Sequence, residues 1–221
     1  MSDTAAFYDV DGTLVETNIV HSFAYYAVNQ NTLLGSMARV GRALASAPLL
    51  WATDKISRKL FNDIFYPFYR GMSQDRLVTL AGELFEEVLK PAIYKGAYDL
   101  LQQSRAAGVH QVLVTGALDF TIEPLARHLG VDAVISNQME FVDGHATGRL
   151  VPPLVAGPHK ATLIREHCRE HGYDAAKSYA YSDSYSDVAM LSAVGKPAAI
   201  NPDTRLRAVA RSYGWPVLEL N

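Results

Sequence analysis

The sequence predicts an α/β fold, a parallel sheet with helices on both faces and a helical bundle inserted after the first strand. Three observations carry this. A short apolar run, residues 5–9, ends in Asp9-Val10-Asp11-Gly12-Thr13; residues 15–89 then show helical spacing with no alternating strand run; from Pro91 onward, helices and strands alternate. Such alternation indicates a parallel sheet covered on both sides. The expected division is a core of residues 1–14 and 90–221 and a helical cap of residues 15–89.

Element by element, residues 5–9 form the first strand. The insert is rich in Phe, Tyr, Leu and Ala, with breaks at Asn29 to Asn31, at Ala47-Pro48 and at Gly71. Its aromatic residues, among them Phe23, Tyr26, Phe61, Phe65, Tyr66 and Tyr69, mostly form the bundle core. Residues 92–107 read as a helix stopped by Gly108, and residues 110–115 as an apolar strand followed by a Gly-Ala turn. A helix over 121–129 ends at Gly130. A short strand follows at 133–136, then a hairpin over 138–150 around Asp143-Gly144. Residues 158–171 form a helix with proline in its first turn. A strand at 179–182, a helix at 186–193 and a strand at 198–200 come next. Asp203 caps a helix to Ser212, and residues 216–220 are the last strand.

Composition narrows the function classes. In 221 residues, 20 basic against 23 acidic side chains give a net charge of −3. No run of five like charges occurs, so the basic footprint of a nucleic-acid binder is missing. The single cysteine, Cys168, excludes an internal disulfide and fits a reducing compartment; it reads as a small buried hydrophobe. The N-terminus enters a strand without a charged and then apolar leader, so a cytoplasmic protein without a signal peptide is expected. The apolar stretch 33–52 carries Arg39, Arg42 and Pro48, whereas a spanning helix needs about 20 apolar residues without central charges. Leu33, Met37, Val40 and Leu44 recur at helical spacing instead, so an amphipathic helix and no stable membrane insertion are expected.

In open parallel sheets, ligands bind beyond the carboxyl ends of the strands. Three polar groups fall at such ends: Asp9 with Asp11, Thr115 with Gly116 and Ala117, and Asp183 with Asp187. Lys160 opens a helix. Asp9 and Asp11 are two apart and point to one side if the strand persists, while Gly12 lets the chain turn away. Two close carboxylates separate in protonation behaviour, which permits one nucleophile and one general acid. Asp183 and Asp187, four apart, share a face of a helix start; helix capping accounts for one of them but not for both. So many carboxylates in one cleft call for a hard cation with oxygen ligands, above all Mg2+. Lys160 and the cation relieve the repulsion between a carboxylate and a phosphate, and Thr115 with the following N–H groups supplies neutral donors. That set suits phosphoryl transfer through an aspartyl-phosphate.

At this point the chain resembles the haloacid-dehalogenase-like (HAD) superfamily. FYDVDGTL (Phe7 to Leu14) matches its opening DxDGT signature, VLVTGA its Thr-ending strand at Thr115, GPHKATLI its lysine at Lys160, and YSDSYSDVAML its acidic DxxxD at Asp183 and Asp187. The insert between the first two signatures is similar to that of the phosphoserine-phosphatase-like branch, subfamily IB. The resemblance implies a Rossmann-like core with a C1-type helical cap. It implies Asp9 as nucleophile and Asp11 as acid/base, Thr115, Gly116 and Lys160 as phosphate-binding, and Asp9, Asp11, Asp183 and Asp187 around Mg2+. Asp187 would act through water or by fixing Lys160. Ser184 and Ser186 stand where many relatives have Gly and Asn. Where authentic phosphoserine phosphatases carry a Glu for the substrate ammonium, this chain has Asn18, with Glu16 two residues earlier.

The expected activity is Mg2+-dependent hydrolysis of a small phosphate monoester. Phosphoserine, histidinol phosphate and a lipid-related phosphate all stay open as substrates, and so does transfer of the phosphoryl group to an acceptor hydroxyl. Glu16, Asn18, Arg58 and Arg70 are the candidates for specificity. A monomer suffices to hold the whole site. His167-Cys168-Arg169-Glu170-His171 matches H-x-x-E-H, a zinc-peptidase pattern, although a surface histidine pair is the commoner origin of such a short motif.

Overall fold

The computed structural model describes residues 3–29, 41 and 58–220, with no side-chain description for 58–60. The predicted amphipathic helix around Leu33 to Leu44 and the break at Ala47-Pro48 lie outside the described residues. Among these residues, no helix is long and apolar enough to cross a membrane.

Strand β1 (Ala5–Tyr8) is buried throughout. Its alternation serves two cores: Ala6 and Tyr8 face one, Ala5 and Phe7 the other, as the two-residue period of a strand requires. Helices α1 (Ile19–Val28), α2 (Arg58–Phe65) and α3 (Gln74–Leu84) follow, with a 3-10 turn at Tyr66–Tyr69 and a π turn at Phe85–Leu89. Phe23, Phe61, Phe65, Tyr66 and Tyr69 are buried together, with Phe23 and Phe65 rings 5.5 Å apart. Helix α4 (Lys95–Ala106) leads into β2 (His110–Leu118), α5 (Asp119–Leu129), β3 (Ala133–Val142) and β4 (His145–Val151). After these come α6 (Pro158–His171), β5 (Tyr179–Ser182), α7 (Val188–Leu191), β6 (Lys196–Ile200), α8 (Thr204–Tyr213) and β7 (Val217–Leu218).

The seven strands run in the order β4-β3-β2-β1-β5-β6-β7, all parallel except that β4 is antiparallel to β3. Several boundaries differ from expectation. β2 runs on to Leu118 instead of ending at Thr115 in a Gly-Ala turn, β6 begins at Lys196, and β7 is only Val217–Leu218. β3 is one strand instead of a short strand plus a separate hairpin arm: its first half pairs with β2 and its second half with β4. The helix expected at 186–193 is a 3-10 turn, Tyr185–Asp187, followed by the short α7. The helix expected from residue 92 begins at Lys95, after a further 3-10 turn, Lys90–Ala92. Asp203 caps α8 as expected, its Oδ1 accepting from the Leu206 N–H at 2.7 Å, and Cys168 is buried.

Among the described residues, backbone hydrogen bonds tie the helical segment between β1 and β2 to the rest of the fold in two places. At its ends, Val15 bridges Ile93, the Glu16 N–H donates to the Ala92 carbonyl and the Tyr94 N–H to the Leu14 carbonyl. Further out it grips β4. The Ala146 N–H donates to the Met72 carbonyl and the Gly71 N–H to the Ala146 carbonyl, each at 2.8 Å.

Candidate active site

The carboxyl ends of β1, β2 and β5, neighbours at the centre of the sheet, surround a cleft of about 320 Å3. Asp9, Asp11, Gly12, Thr115, Gly116, Lys160, Asp183 and Asp187 all line it. The strand order steps from β2 through β1 to β5, which is the crossover where such sheets bind ligands.

Asp9 follows β1 directly, its N–H bonded to the Tyr181 carbonyl at 2.9 Å. β1 ends at Tyr8, so Asp9 and Asp11 reach the cleft through a loop and not by strand alternation. The loop turns at Gly12, whose φ is +79° and where any Cβ would run into the Asp183 carboxylate. Only glycine fits there. Thr13 joins two signatures: its hydroxyl lies 3.1 Å from Asp9 Oδ2 and 3.3 Å from Asp183 Oδ1. Asp11 Oδ1 accepts from the Thr17 hydroxyl at 3.1 Å.

Lys160, the third residue of α6, is buried and donates to Asp9 Oδ1 at 2.6 Å and to Asp187 Oδ2 at 2.7 Å. Ser182 Oγ donates to the same Asp187 oxygen at 2.9 Å. Asp187 is therefore tied to the lysine. It arrives on a 3-10 turn, where Ser184 Oγ accepts from the Ser186 N–H. Thr115 Oγ1 accepts from the Ala117 N–H at 3.0 Å, which leaves its own proton to donate.

Electrostatics set these groups apart from surface carboxylates. Burial pushes the Asp9 carboxyl above its ordinary range, with Lys160 pulling the other way. Burial, then the repulsion of Asp9 and Asp187, pushes Asp183 up to about 8. Burial acts to lower the Lys160 pKa, yet the attraction of Asp187 and Asp9 outweighs it and the ammonium is held more firmly than usual. Three carboxylates face one ammonium, an excess of negative charge that a cation offsets. Among the described residues, no group of three or more His, Cys, Asp or Glu side chains is placed to hold a metal ion. Mg2+ needs no such group, since it binds through one or two carboxylates and keeps its waters. Asp9 and Asp183, meeting around one hydroxyl, are all-oxygen donors of that kind.

The specificity candidates fare differently. Asn18 lines the cleft mouth, but its Oδ1 caps α1, accepting from the Val20 and His21 N–H groups at 3.0 and 3.2 Å. Glu16 is exposed and not among the cleft residues. Arg70 lies against β4, its Nε donating to the Thr147 carbonyl at 3.1 Å, away from the cleft. The Arg58 side chain is outside the described residues. Sequence reasoning missed Asn62, a buried residue of α2 that lines the cleft, and also Thr13, Thr17 and Ile19. His167 and His171 stack with ring centroids 4.1 Å apart, which packs ring faces together and does not aim two nitrogens at one ion.

A family model described as haloacid dehalogenase-like hydrolase matches residues 6–192. "Inhibition of morphological differentiation protein" of Streptomyces azureus is 33% identical over 99% of this chain and 79% of its own length. Phosphoserine phosphatase SerB1 of Mycobacterium tuberculosis is 35% identical over 96% of this chain and 70% of its own. A crystal structure of a protein of unknown function from Bordetella pertussis Tohama I superimposes with a TM-score of 0.85 at 26% identity, covering all of both chains.

Proposed function

The chain belongs to the haloacid dehalogenase-like hydrolase family, and from that premise we propose that it is a Mg2+-dependent phosphatase of small phosphate monoesters. What supports this most is the Lys160 bridge, one buried ammonium held between Asp9 and Asp187. An ammonium has three protons; two are engaged, and the third is left for a phosphoryl oxygen. The cleft volume lies at the small end of ligand pockets, which suits a small metabolite.

In the proposed reaction, an Asp9 carboxylate oxygen attacks phosphorus and the ester P–O bond breaks. Asp11 delivers a proton to the departing alkoxide. Water then attacks the aspartyl-phosphate, giving its proton to Asp11, and the P–O bond to Asp9 breaks to release inorganic phosphate. Thr115 and Lys160 hold the phosphoryl oxygens throughout. Asp9 and Asp183, with the Asp11 backbone carbonyl, would hold Mg2+, which supplies charge neutralisation. The helical insert, residues 15–89, would act as the cap that shuts out water, with Thr17, Asn18, Ile19 and Asn62 meeting the leaving group. None of those four is acidic, so none of them pairs with a substrate ammonium, which counts against phosphoserine and leaves other small phosphate monoesters open. A cytoplasmic location fits the lone buried Cys168.

Release of inorganic phosphate from a panel of monoesters, with and without Mg2+, tests the proposal, with Asp9→Asn as control. Turnover should require both Mg2+ and Asp9, and should proceed without an acceptor alcohol. An Asp9→Asn protein as active as the parent sinks it; leaving alcohol formed only when an acceptor is added, with a new phosphate ester and no inorganic phosphate, points to phosphotransfer.

A further inference from the structure

Asn137 sits where β2 and β3 lose their common register. Thr115 pairs with Ser136, but the next pair is Leu118 with Asn137. Gly116 and Ala117 therefore bulge out of the ladder, as strands often do beside active sites. Backbone groups freed in a buried place need other partners. The Gly116 carbonyl finds two, the Asn137 Nδ2 amide at 2.8 Å and the Tyr66 hydroxyl at 2.6 Å. The other end of the same amide is used as well: Asn137 Oδ1 accepts from the Val155 N–H at 2.8 Å. Asn137 is fully buried.

Fixing that one carbonyl fixes a relay. In a planar trans peptide, the Ala117 N–H points opposite to the Gly116 carbonyl, and it donates to Thr115 Oγ1. A hydroxyl that accepts on one side sends its proton elsewhere, and Thr115 lines the cleft. Val155 likewise begins the segment Val155-Ala156-Gly157 that borders the cleft just before the helix carrying Lys160. Neither Asn137 nor Tyr66 lines the cleft.

We propose that the Asn137 amide, together with the Tyr66 hydroxyl, positions the phosphate-holding groups by gripping the Gly116 carbonyl, so that Thr115 aims its proton at the phosphoryl group. This rests on the phosphatase reading above. Both are positioning residues, one from the sheet and one from the helical insert. Tyr66 thereby makes the grip depend on where the insert sits.

Asn137→Asp and Tyr66→Phe test it. The aspartate is nearly isosteric and keeps an acceptor for Val155, but it turns an oxygen toward the Gly116 carbonyl. Inorganic phosphate, titrated calorimetrically in Mg2+ well below the melting temperature, reads phosphate-holding directly. Turnover of p-nitrophenyl phosphate gives kcat and KM in parallel. Asn137→Asp should weaken phosphate binding by about tenfold or more, and Tyr66→Phe by about two- to fivefold, the scale of lost or misdirected hydrogen bonds. A merely structural role would reduce the active fraction, and so kcat, while leaving KM and the phosphate affinity of the folded fraction unchanged. If both variants bind phosphate within about twofold of the parent, inside the scatter of a neutral substitution, the proposal is overturned. If Asn137→Asp does not fold, Tyr66→Phe decides by the same criterion. A parent that binds phosphate but turns nothing over defeats the phosphatase reading alone; a parent that binds no phosphate defeats both.

Discussion

Removing the Lys160 ammonium is the sharpest test of the site's electrostatics, and it needs no substrate. Lys160→Met keeps the length of the side chain and deletes the charge. The parent holds that charge at 2.6 and 2.7 Å from two carboxylates, with all three side chains less than a tenth exposed. Breaking a buried pair by deleting one partner costs about 3–5 kcal/mol, because the stranded charge stays buried. For a chain of this size each kcal/mol moves Tm by about 2–4 °C, so a fall of roughly 6–20 °C at pH 8 is expected. The sign of the pH dependence follows from Asp9, whose pKa burial raises and which loses its opposing Lys160 in the variant. A carboxylate with a raised folded pKa is harmless below its unfolded value, about 3.9. It costs stability as pH climbs through the folded one. The variant's deficit at pH 5.5 should therefore be smaller than at pH 8. Thermal melts with a chelator present measure both, and Lys160→Met/Asp187→Asn should recover part of the loss while staying inactive. A single variant melting within about 1 °C of the parent at pH 8, less than a 1 kcal/mol change produces, or one whose deficit ignores pH, would refute this account of the buried triad.

Other outcomes follow from the same geometry. Gly12→Ala forces a Cβ into the Asp183 carboxylate at φ +79°; a loss of about 1–3 kcal/mol by urea unfolding is expected, and an unchanged midpoint counts against the tight turn. Asn18→Ala should cost about 1 kcal/mol as a lost N-cap, whereas Asn18→Asp, an equally good cap, should cost little; equal losses would show that Asn18 does something other than capping. His167 has its pKa lowered by burial and then by His171 and His110, with Glu170 opposing. Its neutral form favours folding above the unfolded value of about 6.5 and that advantage is lost as pH falls, so His167→Leu should lose less stability than the parent between pH 7.5 and 5.5. Parallel losses in urea midpoints would rule the cluster out as the source of acid sensitivity.

The central sheet and the cleft residues were legible because the signals are local. Four apolar residues ending at Asp9, proline two residues before Lys160, and Asp203 ahead of a periodic run each act within one or two turns of chain. Asn137 was not legible. It is a polar residue in the middle of a strand, and its use depends on a register shift between β2 and β3 that only the paired sheet reveals. The same polar trio, Ser136-Asn137-Gln138, hid the continuity of β3, since it reads as a break between two strands. Tyr66 and Asn62 sit among residues patterned as bundle core, so nothing in their spacing distinguishes a bond to Gly116 or a place on the cleft wall from ordinary packing. Asn18 was legible in two ways at once. Its position just before a helix is a capping signal, and it both caps α1 and lines the cleft. The turn at Tyr185–Asp187 could not be told from the first turn of a helix, because 3-10 and α starts share their sequence preferences.

The grip of Gly71 and Met72 on Ala146 bears on how the molecule behaves among its own copies. β4 is the outermost strand on its side of the sheet, and an open margin of N–H and C=O groups invites a neighbouring chain to add a strand. Here the insert occupies both backbone groups of Ala146. Trimming the insert to simplify the molecule would bare that margin, and the shortened chain would be expected to self-associate more than the full one.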